Sequence, residues 1–371
     1  MSGSIAIVDG GSFVLPYDFH LVRALAARGA PVHFYGSRTR YNGEFLEAMR
    51  ALPGVTVVDR GVSGTVAPRW RGALAYAALL LALLRRGRAH DVVNLQFSAW
   101  WPLELPVLAL LRRRLVFTVH NAVPHGFAGV QHAPTRWLAS LARALVFVSE
   151  ATRDDFLRRY GERFRARSSV LPHGLLPIAP ELDRVPYARR AAPPRALVFW
   201  SNVKAYKGVE LFAALARSPA IRARGLALRV VGKWDRALHG LRDELAALGV
   251  QVEDRYLDRD ELLRLFAEEA LFLLPYRDAS QSGALYALLN HGCVFACSDA
   301  GDLGAFMRRF GLQGLMMRKR SAEAVLACLD HLDAHGDEVA AKLAEAQGAC
   351  DWERIVAAAG AVYGTGASQA S

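Results

Sequence analysis

The chain has 371 residues, 53% of them hydrophobic, enough for two globular domains each with a sizeable core. Its net charge of +11 is one-sided: residues 1–178 hold 22 Arg, no Lys and 11 Asp plus Glu, so the whole excess lies in the first half and suits an anionic surface, a phosphorylated acceptor or nucleic acid. The four cysteines, Cys293, Cys297, Cys328 and Cys350, lack paired metal spacing, which excludes a cysteine metal centre and leaves them as reduced core residues of a cytosolic protein.

In chain order, Ile5 to Val8, a Gly10-Gly11 turn, a helical pattern from Tyr17 to Arg28 and Val32 to Tyr35 make one strand, helix, strand unit. Ile5 to Val8 already reads as a core strand, and no export signal precedes it. Val55 to Val58 adds a strand. Gly72 to Leu84 is the most apolar run, bracketed by arginines; thirteen helical residues rise only about 20 Å, too short to span a bilayer, so a partly buried helix with its arginines near lipid is expected. Asp91 to Gln96, Leu115 to His120, Leu145 to Val148 and Ser169 to Leu171 complete a first parallel sheet. Five prolines between Pro177 and Pro194 mark a linker, and strands at Ala196 to Trp200, Leu226 to Val231, Val250 to Val252, Ala270 to Pro275 and Val294 to Cys297 form a second alternating series. The domains predicted are 1–178, a linker 179–194, 195–350, and a tail 351–371 whose helix crosses back, with a cleft expected between two doubly wound α/β domains.

Ligands of such sheets sit at the strands' carboxyl ends. In the second domain these ends carry Asn202, Lys207 and Gly208, then Gly232-Lys233, then Ser280-Gln281-Ser282-Gly283, then Asp299. A lysine can neutralise a diphosphate as a point charge, and a helix start offers free N–H groups to one. In the first domain the same rim should carry Gly10 and Gly11, Asp18, His20, Glu104, His120, Asn121 and His125. Asp18, His20, Glu104 and His120 are each able to serve as a base for a hydroxyl, and the sequence does not choose among them. There is no P-loop, His-Glu-x-x-His, Gly-x-Ser-x-Gly elbow or nucleic-acid module, so neither a metal nor nucleic acid is expected as partner.

The segments VLPHG (170–174), KGVEL, VVGKW, ACSDAG and the final ACDWERIVAAAGAVY resemble the two-domain GT-B glycosyltransferases, which have two Rossmann-like domains and use nucleotide-diphosphate sugars. The large retaining group of that family places two glutamates where this chain has Ala279 and Ala287. HNAVPH, NVKAYKGVE and LPYRDASQSGALYALL are instead similar to the bacterial exopolysaccharide subgroup that includes the inverting xanthan mannosyltransferase. The resemblance implies transfer of a hexose from GDP-mannose or a UDP-sugar to a lipid-linked glycan, without a metal cofactor, with Lys207 and the Ser282-Gly283 turn on the diphosphate. With the basic first half, it implies a cytoplasmic enzyme peripheral to the inner face of the plasma membrane, on anionic lipid. Two other readings fit the fold: a nucleotide-sugar 2-epimerase and a non-catalytic nucleotide-sugar-binding subunit of a polysaccharide assembly complex.

Overall fold

The computed structural model describes residues 3–39, 43–62, 69–123, 132–187, 193–279 and 282–363. His125, Ser280 and Gln281 lie outside these residues. The chain divides into two compact units, residues 1–181 with 350–371, and residues 182–349.

The first unit is a parallel sheet of seven strands: β1 (Ile5–Asp9), β2 (Val32–Arg38), β3 (Val55–Val62), β4 (Val92–Phe97), β5 (Leu115–Val119), β6 (Ala144–Phe147) and β7 (Ser168–Val170), in the order β3-β2-β1-β4-β5-β6-β7. Alternate strand residues feed two cores. Ile5, Ile7, Val32 and Phe34 face α1 (Leu15–Ala27) and α2 (Gly43–Arg50). Ala6, Val8, Val93 and Leu95 face α3 (Arg69–Gly87), α4 (Trp101–Leu110), α5 (Ala133–Leu141) and α6 (Glu150–Tyr160). Burial on both faces is why these strands read as unbroken apolar runs instead of alternating ones. The expected apolar helix is α3, extended to the arginines at both ends. Among the described residues no helix is long and apolar enough to cross a membrane.

The second unit is a parallel sheet of six strands: β8 (Ala196–Trp200), β9 (Ala227–Val231), β10 (Gln251–Glu253), β11 (Ala270–Leu274), β12 (Val294–Ser298) and β13 (Met316–Met317), in the order β10-β9-β8-β11-β12-β13. Its helices are α7 (Leu211–Arg217), α8 (Pro219–Ala223), α9 (His239–Ala247), α10 (Arg259–Phe266), α11 (Gly283–Asn290), α12 (Gly301–Arg309) and the long α13 (Ala322–Ala349). The two-residue β13 and helix α2 have no counterpart in the sequence reading; β13 is too short to leave a periodic signal.

After α13 the chain re-enters the first unit as α14 (Trp352–Ala358), whose Trp352, Ile355 and Val356 join the core beneath α1. Asp351 caps it, accepting from the Glu353 N–H at 2.9 Å. Trp352 donates its indole N–H to the Leu175 carbonyl at 2.7 Å and lies edge-on to Tyr17, with ring centroids 4.9 Å apart.

Each sheet reverses its strand order once, between β1 and β4 in the first unit and between β8 and β11 in the second. Those reversals are where an open α/β sheet leaves a crevice at its carboxyl edge.

Candidate functional site

At the second unit's reversal the loops after β8 and β11 are packed together. Gly208 sits at φ +70°, and a Cβ there would come within 1.9 Å of the Pro275 carbonyl oxygen. Gly301, at φ +44°, would likewise place a Cβ 1.8 Å from the Ala279 carbonyl, to which Asp302 N–H donates at 3.1 Å. The turns after β8 and β12 thus clamp the segment after β11 from both sides, and only glycine permits the approach.

This clamp organises Lys207. Its ammonium is buried, donates to the Ser201 hydroxyl, and lies 4.9 Å from the Tyr276 ring centroid and 5.8 Å from that of Tyr206. Among the described residues no carboxylate pairs with it. The Tyr276 hydroxyl accepts from the Ser282 hydroxyl at 3.3 Å, and Ser282 is the N-cap of α11, accepting from the Leu285 N–H. Lysine, two aromatic rings and the start of a helix therefore share one place. A buried cation held by ring faces, with no counter-charge, is suited to an anion that brings its own. The helix start adds a second positive end.

The remaining residues expected in the second unit are placed differently. Lys233, half exposed, is spent on Asp254 at 3.0 Å, and the Trp234 N–H, Lys233 and Arg242 together hold that carboxylate down to about 2. Asn202 is exposed, and Gly232 lies against the Ser201 carbonyl. Asp299 is paired with Arg308 at 2.6 Å. Gly283 opens α11 and is exposed, whereas Ala279 and Ala287 are both buried. Tyr206, Tyr276 and Ser201 were missed in the sequence; the aromatics flanking Lys207-Gly208 and Pro275 were the available signal.

The carboxyl edge of the first sheet differs from expectation. An open rim was predicted for Asp18 and His20, but α1 turns both inward and both are fully buried. His20 lies among Phe19, Phe45 and Trp352, and burial, with Arg23 nearby, lowers it to about 3, so it stays neutral. Asp18 adjoins Asp9 at the end of β1. Burial raises Asp9 to about 6, and burial together with the Asp9 charge raises Asp18 well above the usual carboxylate range, which favours a protonated Asp18. Asp9 also accepts from the Val14 N–H at 3.0 Å.

Glu104 is likewise enclosed. It accepts from the Tyr76 and Ser98 hydroxyls and from the Ala99 and Trp100 N–H groups, at 2.7 and 2.9 Å for the latter two, and so fastens the start of α4. Gly10 and Gly11 make room for protein rather than ligand: a Cβ on Gly10 would strike the Tyr76 ring and one on Gly11 the Phe13 ring.

His120 follows β5 directly. It is buried, stacks on Phe97 with centroids 4.4 Å apart, and its Nε2 lies 3.0 Å from the Gln96 side-chain oxygen. Gln96 donates in turn to Asn94, whose amide donates to Thr118 at 2.9 Å, so a polar ladder between β4 and β5 fixes the imidazole. Asn121, half buried, comes next.

Residues 18–175 match Glycosyltransferase Family 4. No curated protein sequence matches the chain. Among solved structures, it is similar to Anabaena Alr3699/HepE in complex with UDP and glucose, with a TM-score of 0.66 and 16% identity over 98% of this chain and 97% of that one. It is also similar to the E. coli trehalose-6-phosphate structure bound with UDP-2-fluoro glucose (TM-score 0.67, 14% identity, 97% and 99% covered). A third is WaaG, a glycosyltransferase involved in lipopolysaccharide biosynthesis (TM-score 0.60, 17% identity, 97% and 100% covered). The two parallel-sheet units are those of the GT-B fold. The family match over residues 18–175 and this fold together support an enzyme of the glycosyltransferase class.

Proposed function

We propose that the protein transfers a hexose from a nucleotide-diphosphate sugar, GDP-mannose or a UDP-sugar, to a lipid-linked oligosaccharide or polysaccharide at the inner face of the plasma membrane. The observation that carries this reading is the buried Lys207 ammonium, unmatched by any described carboxylate and joined through Tyr276 to the start of α11. Those groups suit the two phosphates of the donor. The similar HepE structure is in complex with UDP and glucose, which supports a UDP-sugar.

As the sugar's C1–O bond to the diphosphate breaks, the electron pair stays on the departing phosphate oxygen. Lys207 and the α11 N–H groups stabilise that charge without a metal cofactor. An acceptor hydroxyl attacks C1 from the opposite face and its proton passes to a base. Of the four candidates, Asp18 and His20 are fully enclosed beneath α1 and Glu104 is taken up by four donors; we take His120, which is also buried but directly follows β5 and is held by Gln96, as the base. Buried alanines at 279 and 287 provide no carboxylate pair of the retaining kind, which favours inversion.

Purified protein incubated with membranes and a panel of labelled nucleotide sugars should give labelled lipid-linked product from one donor, also with a chelator present. No product from any donor would sink the reading. His120→Asn should lower kcat by about 100-fold or more with little change in donor affinity; an unchanged kcat removes His120 from the chemistry.

A further inference from the structure

Helix α3 presents an unusual outer surface. Tyr76, Leu79, Leu80 and Leu83 face the core, yet Trp70, Leu74, Ala78 and Leu81, three or four residues apart, face solvent, with Trp70 61% and Leu74 65% exposed. A helix apolar on all sides ordinarily lies inside a protein or against lipid. The neighbouring helices on this face continue the pattern: Trp100 and Trp101 at the start of α4, and Trp137 on α5, are exposed, and Trp101 and Trp137 meet edge to face at 5.2 Å. Four of the chain's seven tryptophans are therefore exposed on this one side.

Part of the positive charge of the first unit lies on the same face. Arg38, Arg50, Arg153, Arg158, Arg159 and Arg165 each pair with a carboxylate. On α3 and at the ends of α3 and α4, Arg71, Arg85, Arg86, Arg88, Arg112 and Arg113 have no carboxylate partner among the described residues. Helices α3, α4 and α5 contain a single carboxylate, Glu104, and it is buried. Arg23, Arg28, Arg60, Arg143, Arg163 and Arg167, elsewhere in the unit, also have no carboxylate partner among the described residues; what sets α3, α4 and α5 apart is that their unpaired arginines stand beside exposed indoles with no exposed carboxylate on the same helices.

We infer that the α3–α4–α5 face is a bilayer-docking surface for anionic phospholipid, with the indoles and leucines entering the headgroup boundary and the arginines meeting lipid phosphates. Indole suits that boundary because one edge is polar and the body apolar. Arginines beside an apolar stripe are attracted to an anionic leaflet. A nucleic acid would use the arginines but leave Leu74, Leu81 and Leu110 exposed. The inference deepens the proposed function by naming the surface through which a lipid-linked acceptor is met, and rests on that reading for the acceptor alone.

The full chain should be sedimented with phosphatidylcholine vesicles with and without phosphatidylglycerol, and its tryptophan emission followed with brominated lipid. Wild type should bind only the anionic vesicles, with quenching. Trp70→Ser with Leu74→Ser should weaken binding about tenfold or more and reduce quenching. Arg112→Gln with Arg113→Gln should do so about tenfold and lessen the salt dependence. Arg158→Gln with Arg159→Gln, on α6, should stay within about twofold. Binding to DNA but to no vesicle, or equal losses from the α6 variant and the other two, would overturn the proposal. Nucleoside-diphosphate affinity, measured without vesicles, should be unaltered in all three variants. A protein that binds vesicles in this pattern and no nucleotide leaves the docking face standing and sinks the transferase reading instead.

Discussion

The carboxyl edges of the two sheets are built to opposite electrostatic designs. At the first, acids and imidazoles are drawn inward and provided for by the protein: burial favours the protonated form of Asp18, His20 is neutral beside Trp352, and Glu104 accepts from four donors. At the second, a lysine is drawn inward against a hydroxyl and two ring faces, with no carboxylate partner among the described residues. Burial alone therefore does not distinguish a structural ionisable group from one proposed to bind a ligand. The difference lies in whether the protein supplies the counter-charge or proton, or leaves that to a ligand.

The strongest way to break the first edge is at Trp352, which touches Tyr17, His20 and His173 and would collide with any Cβ at Gly174. Trp352→Ala should cost about 3–5 kcal/mol in denaturant unfolding, and a loss under about 1 kcal/mol would mean the edge is organised by something else. At the second edge, Lys207→Ala should weaken binding of a nucleoside diphosphate by about 30-fold, near 2 kcal/mol in calorimetry. Lys233→Ala, already paired and half exposed, should change it by less than about threefold. Equal effects would erase the distinction drawn between the two lysines.

The acid pair makes a smaller and signed prediction. Its carboxyls bind protons more tightly folded than unfolded, where the reference value is 3.8, so the pair's contribution to stability is complete below pH 3.8 and is lost as pH rises through about 6. Asp18→Asn, which removes one of the two buried carboxyls, should raise stability at pH 7 by about 1–2 kcal/mol and flatten the slope between pH 4 and 7. A steeper slope in the variant would show that Asp18 is not the group that holds the proton. Tyr363 and Tyr76 face the pair and are too basic to titrate in that range.

Much of this architecture is visible in the sequence. The strand at Ile5, the turn after Trp200, Lys207 and the Ser282 cap stand where apolar runs end and helices begin, because parallel strands buried on both faces leave uninterrupted apolar signatures. What the sequence conceals is side-chain direction set by distant partners. His20 is inward because a helix that begins 332 residues later, at Trp352, fills the space beside it, and Asp18 is enclosed partly by Tyr363. The Lys207 environment depends on Tyr276, brought near by a glycine that tolerates a carbonyl at van der Waals contact or closer. Neither relation has a local period, so neither could be read from spacing. Nor could the exposure of α3, whose apolar run looks identical whether its outer stripe meets protein or lipid.

The path of the chain through the two units also sets an order of assembly. The second unit is a continuous segment, residues 182–349, whereas the first is closed by residues 350–371. During synthesis the second unit can therefore be finished while the first still has an empty slot under α1, awaiting Trp352, Ile355 and Val356. A transcript cut just after codon 349 would yield a second unit with its whole sheet and a first unit with exposed core, a natural target for proteolysis.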